Sequence, residues 1–489
     1  MPDARTNAGR TVLAVDLGAE SGRVAAVTWP AGGAPPETRE LHRFANEPVR
    51  VRRPDGASTL HWDVLRLWHE TERGLRRGLE LEPASLGVDT WAVDYGLLDG
   101  RGRLLGNPVH YRDERHDRAL ERLLARVPAD DLYATTGIQF LPFNTAAQLE
   151  AQRHAGDAEL EHARTLLTIP DLLHVWLGGR VAAEVTNAST TQLLDPRTRA
   201  WHDGLIARLA WPRSWFADLV EAGTQLGDWD GTPIVASATH DTASAVAGTP
   251  LAGADEAYLS CGTWSLVGLE TRAPRLDADA RAANVTNELG AFGTVRLLKN
   301  VMGLWVLQRC RAVWHAQGRS YDYDDLTRLA AQAAPLRSLI PIDDPRLLPS
   351  GDHPERIREL CRERGEPVPE TDAQVARCVL ESLALGHRRA LHAIERVSGM
   401  RVSAIRMVGG GAQNQALASF TANACALPVL AGPVEATVLG NAAIQAVAVG
   451  LVDDLADARR RIASGADVHR YDPDPRHAAA WDAAATRAA

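Results

Sequence analysis

Lysine is nearly absent from the 489-residue chain: of its 53 basic residues, all but Lys299 are arginine. The classical phosphate-binding loop, Gly-x-x-x-x-Gly-Lys-Ser/Thr, does not occur either. Cysteine is scarce. Cys261, Cys310, Cys361, Cys378 and Cys425 are odd in number, widely spaced and never arranged as Cys-x-x-Cys, which argues against a zinc site or a redox pair and fits a reducing cytoplasm. Cys361 and Cys378 could pair in the fold, but buried free thiols are the favoured reading. The 16 histidines show no His-Glu-x-x-His or other metal-ligand spacing. Positive charge is not clustered, and the net charge is −9, so neither nucleic acid nor an anionic membrane is an expected partner. The longest uncharged stretch, Met407–Val434, holds Gln413, Asn414, Gln415 and Asn423 beside three glycines and reads as a buried soluble segment rather than a membrane span. Met1–Arg10 is polar, and the apolar run after it breaks at Asp16, so no signal peptide is expected.

What remains is the composition of a soluble globular protein, 45% hydrophobic and 24% charged, long enough for two large domains. Three segments, Thr11–Trp29, Leu86–Leu98 and Ala257–Leu269, share a pattern of β-branched strand, tight turn and second strand. Between them His61–Leu81, Ala119–Arg126 and Ala151–Leu167 carry apolar residues at helical spacing. The class is therefore α/β. The first and third strand-turn-strand units start about 245 residues apart, which predicts two structurally repeated halves. The stretch Ala247–Ala254, rich in Gly, Pro and Ala, reads as the hinge, dividing the chain into 11–248, 249–450 and a helical tail, 451–489.

Four motifs can carry chemistry. In Val12–Arg23 a strand delivers Asp16 into a turn with Gly18 and Gly22. Asp16 could hold hydrated magnesium, Ser21 donate a hydroxyl and Arg23 neutralise a transferred phosphoryl group, although any hairpin can contain Asp-x-Gly. Leu259–Ser265 offers a second small-residue turn, with Thr263 as a hydroxyl donor. Met407–Asn414 runs into Gly409–Gly411, open to an adenosine edge or equally a place of tight packing; Asn414 breaks the dinucleotide fingerprint. Ile234–Ala245 ends a strand in His240-Asp241 as a helix begins, where Asp241 serves either as helix N-cap or as general base toward a substrate hydroxyl. The later segment Glu435–Gly450, with Gly440 and Asn441, has the small residues of a close-packed buried helix.

Together these motifs, in this order and spacing, resemble the FGGY family of carbohydrate kinases over about Thr11–Gly450. Gly87–Trp91, Tyr111-Arg112-Asp113, Gly137–Thr145, Thr186-Asn187-Ala188, the block from Lys299 to Gln308, and Gly432–Thr437 are most similar to the branch acting on L-rhamnulose. The resemblance implies an actin-like, hexokinase-like (ribonuclease H-like) ATPase fold, with an N-terminal sugar-binding and a C-terminal ATP-binding domain around an interdomain cleft. It implies transfer of the γ-phosphoryl of MgATP to O1 of the sugar in the cytoplasm, by a monomer or small homo-oligomer. Asp241 would be the base, His240 and the position of Ala92 sugar contacts; Ala19, Glu20, Ser21, Gly22, Arg23, Thr263, Asn300, Gln308 and Gly410 would line the ATP site. Two positions depart from the usual pattern: Ala92 replaces Gly, and Glu20 a small polar residue. Other sugars (L-fuculose, a ketopentose, glycerol) and a non-kinase actin-fold ATPase are the alternatives. Lys299, the lone lysine beside Asn300, is a candidate where a compact ammonium fits and a guanidinium does not. The run Arg459-Arg460-Arg461 reads as a solvated helix face.

Overall fold

The computed structural model describes residues 9–488; the expectation about the chain's first residues falls mostly outside them. Two compact units interleave along the chain. Unit 1 comprises residues up to Pro250, Glu270–Leu297 and Ala436–Ala466, and unit 2 comprises Leu251–Leu269, Leu298–Glu435 and Asp467 onward. The segment after Gly450 is thus shared, 451–466 with unit 1 and the remainder with unit 2.

Unit 1 is built on strands β1 (Arg10–Leu17), β2 (Ser21–Trp29), β3 (Glu37–Ala45), β4 (Leu86–Thr90), β5 (Gln225–Trp229) and β6 (Thr232–Val235), in the order β5-β6-β4-β1-β2-β3. β1 and β2 form an antiparallel hairpin, while β1, β4 and β6 run parallel. Residues 12–17 of β1 are buried without alternation, as a strand covered on both faces must be. One cover is the helix Val64–Leu79, whose Gly78 and Gly74 let it lie against Leu13 and Val24; a Cβ at Gly78 would come within 2.6 Å of the Leu13 methyls. The other is the helix Ala436–Ala448, which shares an apolar cluster with Val12, Ala14, Ala25 and Val27.

Unit 2 repeats the plan. Its strands are β7 (Glu256–Cys261), β8 (Trp264–Thr271), β9 (Val295–Met302), β10 (Ala404–Val408), β11 (Val429–Ala431) and β12 (His469–Tyr471), in the order β9-β8-β7-β10-β11-β12. β8 extends past residue 269 into unit 1, and β9 begins there. β7 and β8 are an antiparallel hairpin, and β7, β10 and β11 run parallel. In each unit the hairpin's first strand therefore has a parallel neighbour, the repeat expected from the spacing of Thr11–Trp29 and Ala257–Leu269.

Several expectations need correction. Leu86–Leu98 is no hairpin: β4 pairs with β1, whereas Tyr95–Leu98 pairs with Thr165–Thr168. The helix expected over Ala151–Leu167 is split into Thr145–Ala155, stopped by Gly156 at φ +71°, and the short helix Glu159–His162. Its last residues enter that strand instead, because Leu166 and Leu167 satisfy their backbone on Tyr95–Leu98. Of the stretch Ala247–Ala254 read as hinge, Ala247 and Gly248 close the buried helix Asp241–Gly248, while the first division between the two units falls within the stretch, at Pro250–Leu251. The stretch Met407–Val434 is broken into strand, turn, helix (Gln415–Cys425) and strand; among the described residues no helix is long and apolar enough to cross a membrane. All five cysteines are free and buried. Cys361 and Cys378 share a hydrogen bond, which lowers the Cys361 thiol's pKa and raises that of Cys378.

Candidate active site

The carboxyl ends of three parallel backbones in unit 1 each deliver an aspartate: Asp16 at the end of β1, Asp89 beside it in register on β4, and Asp241 at the end of the extended chain that follows β6. That extension is held to β4 by Thr90 N–H donating to Thr239 O (2.9 Å) and Ser237 Oγ to Val88 O (2.9 Å). Carboxyl ends of parallel strands are where α/β sheets bind ligands, since loops diverge there. Asp16 is also the cross-strand partner of Arg23, which donates to its Oδ2 from Nε (2.9 Å) and Nη2 (2.8 Å). Asp89 is fully buried, with Asn441 Nδ2 donating to Oδ2 at 2.6 Å while Oδ1 has no hydrogen-bond partner. Burial first, and the charge of Asp16 second, push the Asp89 carboxyl well above the ordinary range.

Asp241 opens the helix Asp241–Gly248 but does not cap it. The N-cap is His240, which makes no side-chain cap bond, so the capping role weighed for Asp241 is overturned. Its side chain keeps 27% of its surface exposed, enough for a solute to reach. Burial raises its pKa; His240 opposes this and Asp16 adds to it, leaving the carboxyl above the usual aspartate value. That is the direction a general base for a hydroxyl requires. The helix is fixed by close crossing with Ala436–Ala448: a Cβ on Gly440 would collide with Ser244 O, and one on Gly248 with Ala436 O. Asn441 and Gln445 on that second helix bond inward, Gln445 Nε2 to Leu13 O at 2.9 Å. The expectation of small residues for close packing at 435–450 is met there.

The turn Gly18–Glu20 is tied by Gly18 N–H to Ser21 O (2.9 Å) and by buried Asn46, whose Nδ2 donates to Gly18 O (2.8 Å). Sequence reasoning missed Asn46, which carries no local motif. Ala92, half-buried, precedes Val93, whose φ of +69° is costly for a β-branched residue. Thr145 Oγ1 holds the Val93 carbonyl at 2.6 Å, and Asp94 accepts from Trp62 (2.6 Å), Trp91 (2.9 Å) and Gln148 (2.8 Å). Burial raises Asp94 to about 6. These buried groups, also missed, over-determine a strained loop, the pattern found where backbone strain serves a site.

The remaining expected ATP contacts lie in unit 2: Thr263 and Gly410 follow β7 and β10, Asn300 is in β9, and Gln308 is on the helix Trp305–Ala316. Gly409 and Gly411 pack on Cys261, where a Cβ at Gly409 would come within 3.0 Å of Cys261 O, while Gly410 is exposed with nothing within 4 Å. Both readings of the glycine run therefore hold, at different residues. The Gly262-Thr263 turn accepts from Leu304 N–H (2.9 Å) and Trp305 N–H (3.2 Å), an approach Gly303 permits. One turn on, Gln308 keeps a buried Oε1 without a partner and borders a cavity of about 360 Å³ with Arg311, His315 and Tyr321. Asn300 lies half-buried in β9. Lys299 precedes it, its pKa lowered by burial and opposed by the charge of Asp343. A larger cavity in unit 1, about 600 Å³ and bordered by Tyr95, Arg115 and Gln152, touches none of the expected site residues.

Comparison with known proteins decides the family. Residues 11–248 match the N-terminal domain, and 257–449 the C-terminal domain, of the FGGY family of carbohydrate kinases. The chain belongs to that family. It is 42% identical over 475 residues to a rhamnulokinase from Pectobacterium atrosepticum, covering 95% of this chain and 93% of the relative. It is 41% identical to a Yersinia pestis rhamnulokinase, covering 94% and 95%. Among solved structures, ligand-bound xylulose kinase from Lactobacillus acidophilus matches with a TM-score of 0.77 at 15% identity, covering 98% and 96%. Plasmodium falciparum glycerol kinase with ADP matches at 0.74 and 14%, covering 98% and 97%. The two-domain α/β kinase fold of the FGGY family is thus this chain's fold, and its activity is that of a phosphotransferase, which sets aside the non-kinase ATPase.

Proposed function

We propose that the chain transfers the γ-phosphoryl of ATP to O1 of L-rhamnulose, giving L-rhamnulose 1-phosphate and ADP. The observation that carries this is identity above 40% with rhamnulokinases over nearly the whole chain. Asp241 takes the proton of the attacking hydroxyl, and its raised pKa favours accepting it. His240 contacts the sugar, and the strained turn at Ala92-Val93 shapes the pocket wall. Arg23, with the amides around Ala19–Gly22, meets phosphate oxygens, while Thr263, Asn300, Gln308 and Gly410 receive the rest of the nucleotide. By this division 11–248 serves the sugar and offers Ala19–Arg23 to the phosphates, 249–450 supplies the other ATP contacts and 451–489 is a supporting tail.

Magnesium fits this chemistry. A carboxylate such as Asp16, whose charge raises the pKa of the neighbouring Asp89 and Asp241, is the donor type a hard divalent cation prefers; among the described residues no group of three or more His, Cys, Asp or Glu could hold an ion directly. Asp16, already bridged by Arg23, would hold the ion through water. When bound, the ion neutralises charge on the phosphate oxygens. A cytoplasmic monomer or small homo-oligomer completes the reading.

Ala92 favours one alternative, a different sugar within the family. A methyl placed against a fitted sugar costs about 1–3 kcal/mol, enough to reorder preferences. The test is ADP release with L-rhamnulose beside L-fuculose, L-ribulose, D-xylulose, glycerol and no sugar. The highest kcat/KM for L-rhamnulose is expected, and a higher value for any other sugar overturns the substrate assignment.

A further inference from the structure

Beneath His240 lies a charged group that neither motif nor spacing announces. Arg296, on β9, is fully buried, and its Nη2 lies 3.0 Å from His240 Nδ1. The same Nη2 is 3.1 Å from Glu288 Oε2, and Arg296 Nε donates to Leu289 O at 3.2 Å. Glu288 is 3.3 Å from His240 Nδ1, at ion-pair distance, yet its Oε2 receives no well-aimed hydrogen bond. On the ring's other side Nε2 stands 3.4 Å from Asp241 Oδ1.

A guanidinium has five N–H donors and no acceptor, so the ring nitrogen facing it must offer its lone pair. A neutral imidazole then carries its proton on the opposite nitrogen. We propose that Arg296 is a positioning residue that makes His240 Nδ1 an acceptor and so places the ring proton on Nε2, toward Asp241 and the sugar. The inference rests on the reading of Asp241 as base and His240 as sugar contact.

The consequence concerns what the pocket recognises. With Nε2–H outward, His240 donates a hydrogen bond, to a sugar oxygen or to the Asp241 carboxylate. The other tautomer would set a lone pair against that carboxylate and repel it, while demanding a donor from the sugar. Glu288 supplies the counter-charge that makes a buried guanidinium tolerable, and burial, which alone would raise its pKa, is opposed first by the charge of Arg296. Its part is to hold Arg296, not the ring.

The test uses the full chain labelled with ¹⁵N-histidine, the His240 signals being those lost in His240→Gln. Ring-nitrogen spectra without substrate are expected to show a bare Nδ1 and a protonated Nε2; a proton on Nδ1, or on both nitrogens, overturns the proposal. Kinetics supply the second arm, in Glu288→Gln/Arg296→Met, which removes both charges so that neither is stranded. Sugar KM is expected to rise about tenfold with ATP KM unchanged, and the same pair added to His240→Gln to change it less than about twofold, because the effect runs through the ring. Additive effects in the two backgrounds would make Arg296 merely structural. Glu288→Gln alone keeps the donor and should preserve the tautomer; a proton moved by that change alone would mean that Glu288, not Arg296, holds the ring. If Asp241→Asn retains full activity, the base assignment fails while the tautomer measurement still stands.

Discussion

Arg23 donates from two nitrogens to a single oxygen of Asp16, Oδ2, so a buried hairpin partner already occupies the cation expected to meet phosphate. The pairing keeps the guanidinium in place along β2 before any nucleotide arrives, which reduces the ordering cost of binding. Arg23→Met should raise ATP KM about tenfold through loss of a charge-assisted contact. Sugar KM should stay within about twofold, and initial rates with each substrate varied in turn read both.

The acidic limb of kcat/KM against pH should lie above the ordinary aspartate value, because Asp241 must be deprotonated to accept a proton and its pKa is raised. Thr242 Oγ1 donates to Asp241 Oδ1 at 3.2 Å, which favours the charged form. Removing that bond in Thr242→Val should move the limb upward by about half a pH unit. A limb that moves downward would mean that another group controls it.

Gly440→Ala tests the helix crossing. The new Cβ has no space against Ser244 O, so the cost should reach about 3 kcal/mol, read as a lower denaturant midpoint. In protein that remains folded, kcat should fall more than ATP KM changes, since the displaced helix carries Asp241.

Much of this was legible from the residues. The hairpins β1-β2 and β7-β8 announce themselves by β-branched runs around small turns, and the small residues at Gly440 and Asn441 foretell a helix packed without room to spare. What stayed hidden depends on long-range partners. Arg459, read as part of a solvated face, instead donates to Val246 O (2.8 Å) and pairs with Glu270, whereas its neighbour Arg460 is exposed. It thereby caps the end of the Asp241 helix from 212 residues away, a distance no local pattern reveals. Asn46, Asp94, Glu288 and Arg296 escaped for the same reason: each acts through a tertiary neighbour.

Stability should also respond to pH through Asp171, a buried residue whose pKa burial pushes up to about 8. Between roughly pH 4, where the unfolded chain releases this proton, and pH 8 the native state binds one more proton than the unfolded state, so stability falls as pH rises. Urea midpoints should be higher at acidic than at mildly alkaline pH, and Asp171→Asn should flatten that difference.

Lys299→Arg asks whether the lone lysine matters to nucleotide binding. The charge of Asp343 opposes the lowering of its pKa, with Arg389 and Arg396 repelling it, so a bulkier cation meets two guanidinium groups already present. ATP KM is expected to rise about threefold with sugar KM constant. Unchanged ATP KM and kcat would remove Lys299 from the site.

The helix Ala436–Ala448 covers a sheet whose strands were all synthesised before residue 236. During translation the face carrying Val12, Ala14, Ala25 and Val27 leaves the ribosome some four hundred residues ahead of its lid. Unit 1 therefore cannot finish folding as the chain emerges. It waits for nearly complete synthesis, and a nascent chain halted after unit 2's central helix Asp372–Ser398 presents an apolar sheet face for a chaperone to shield.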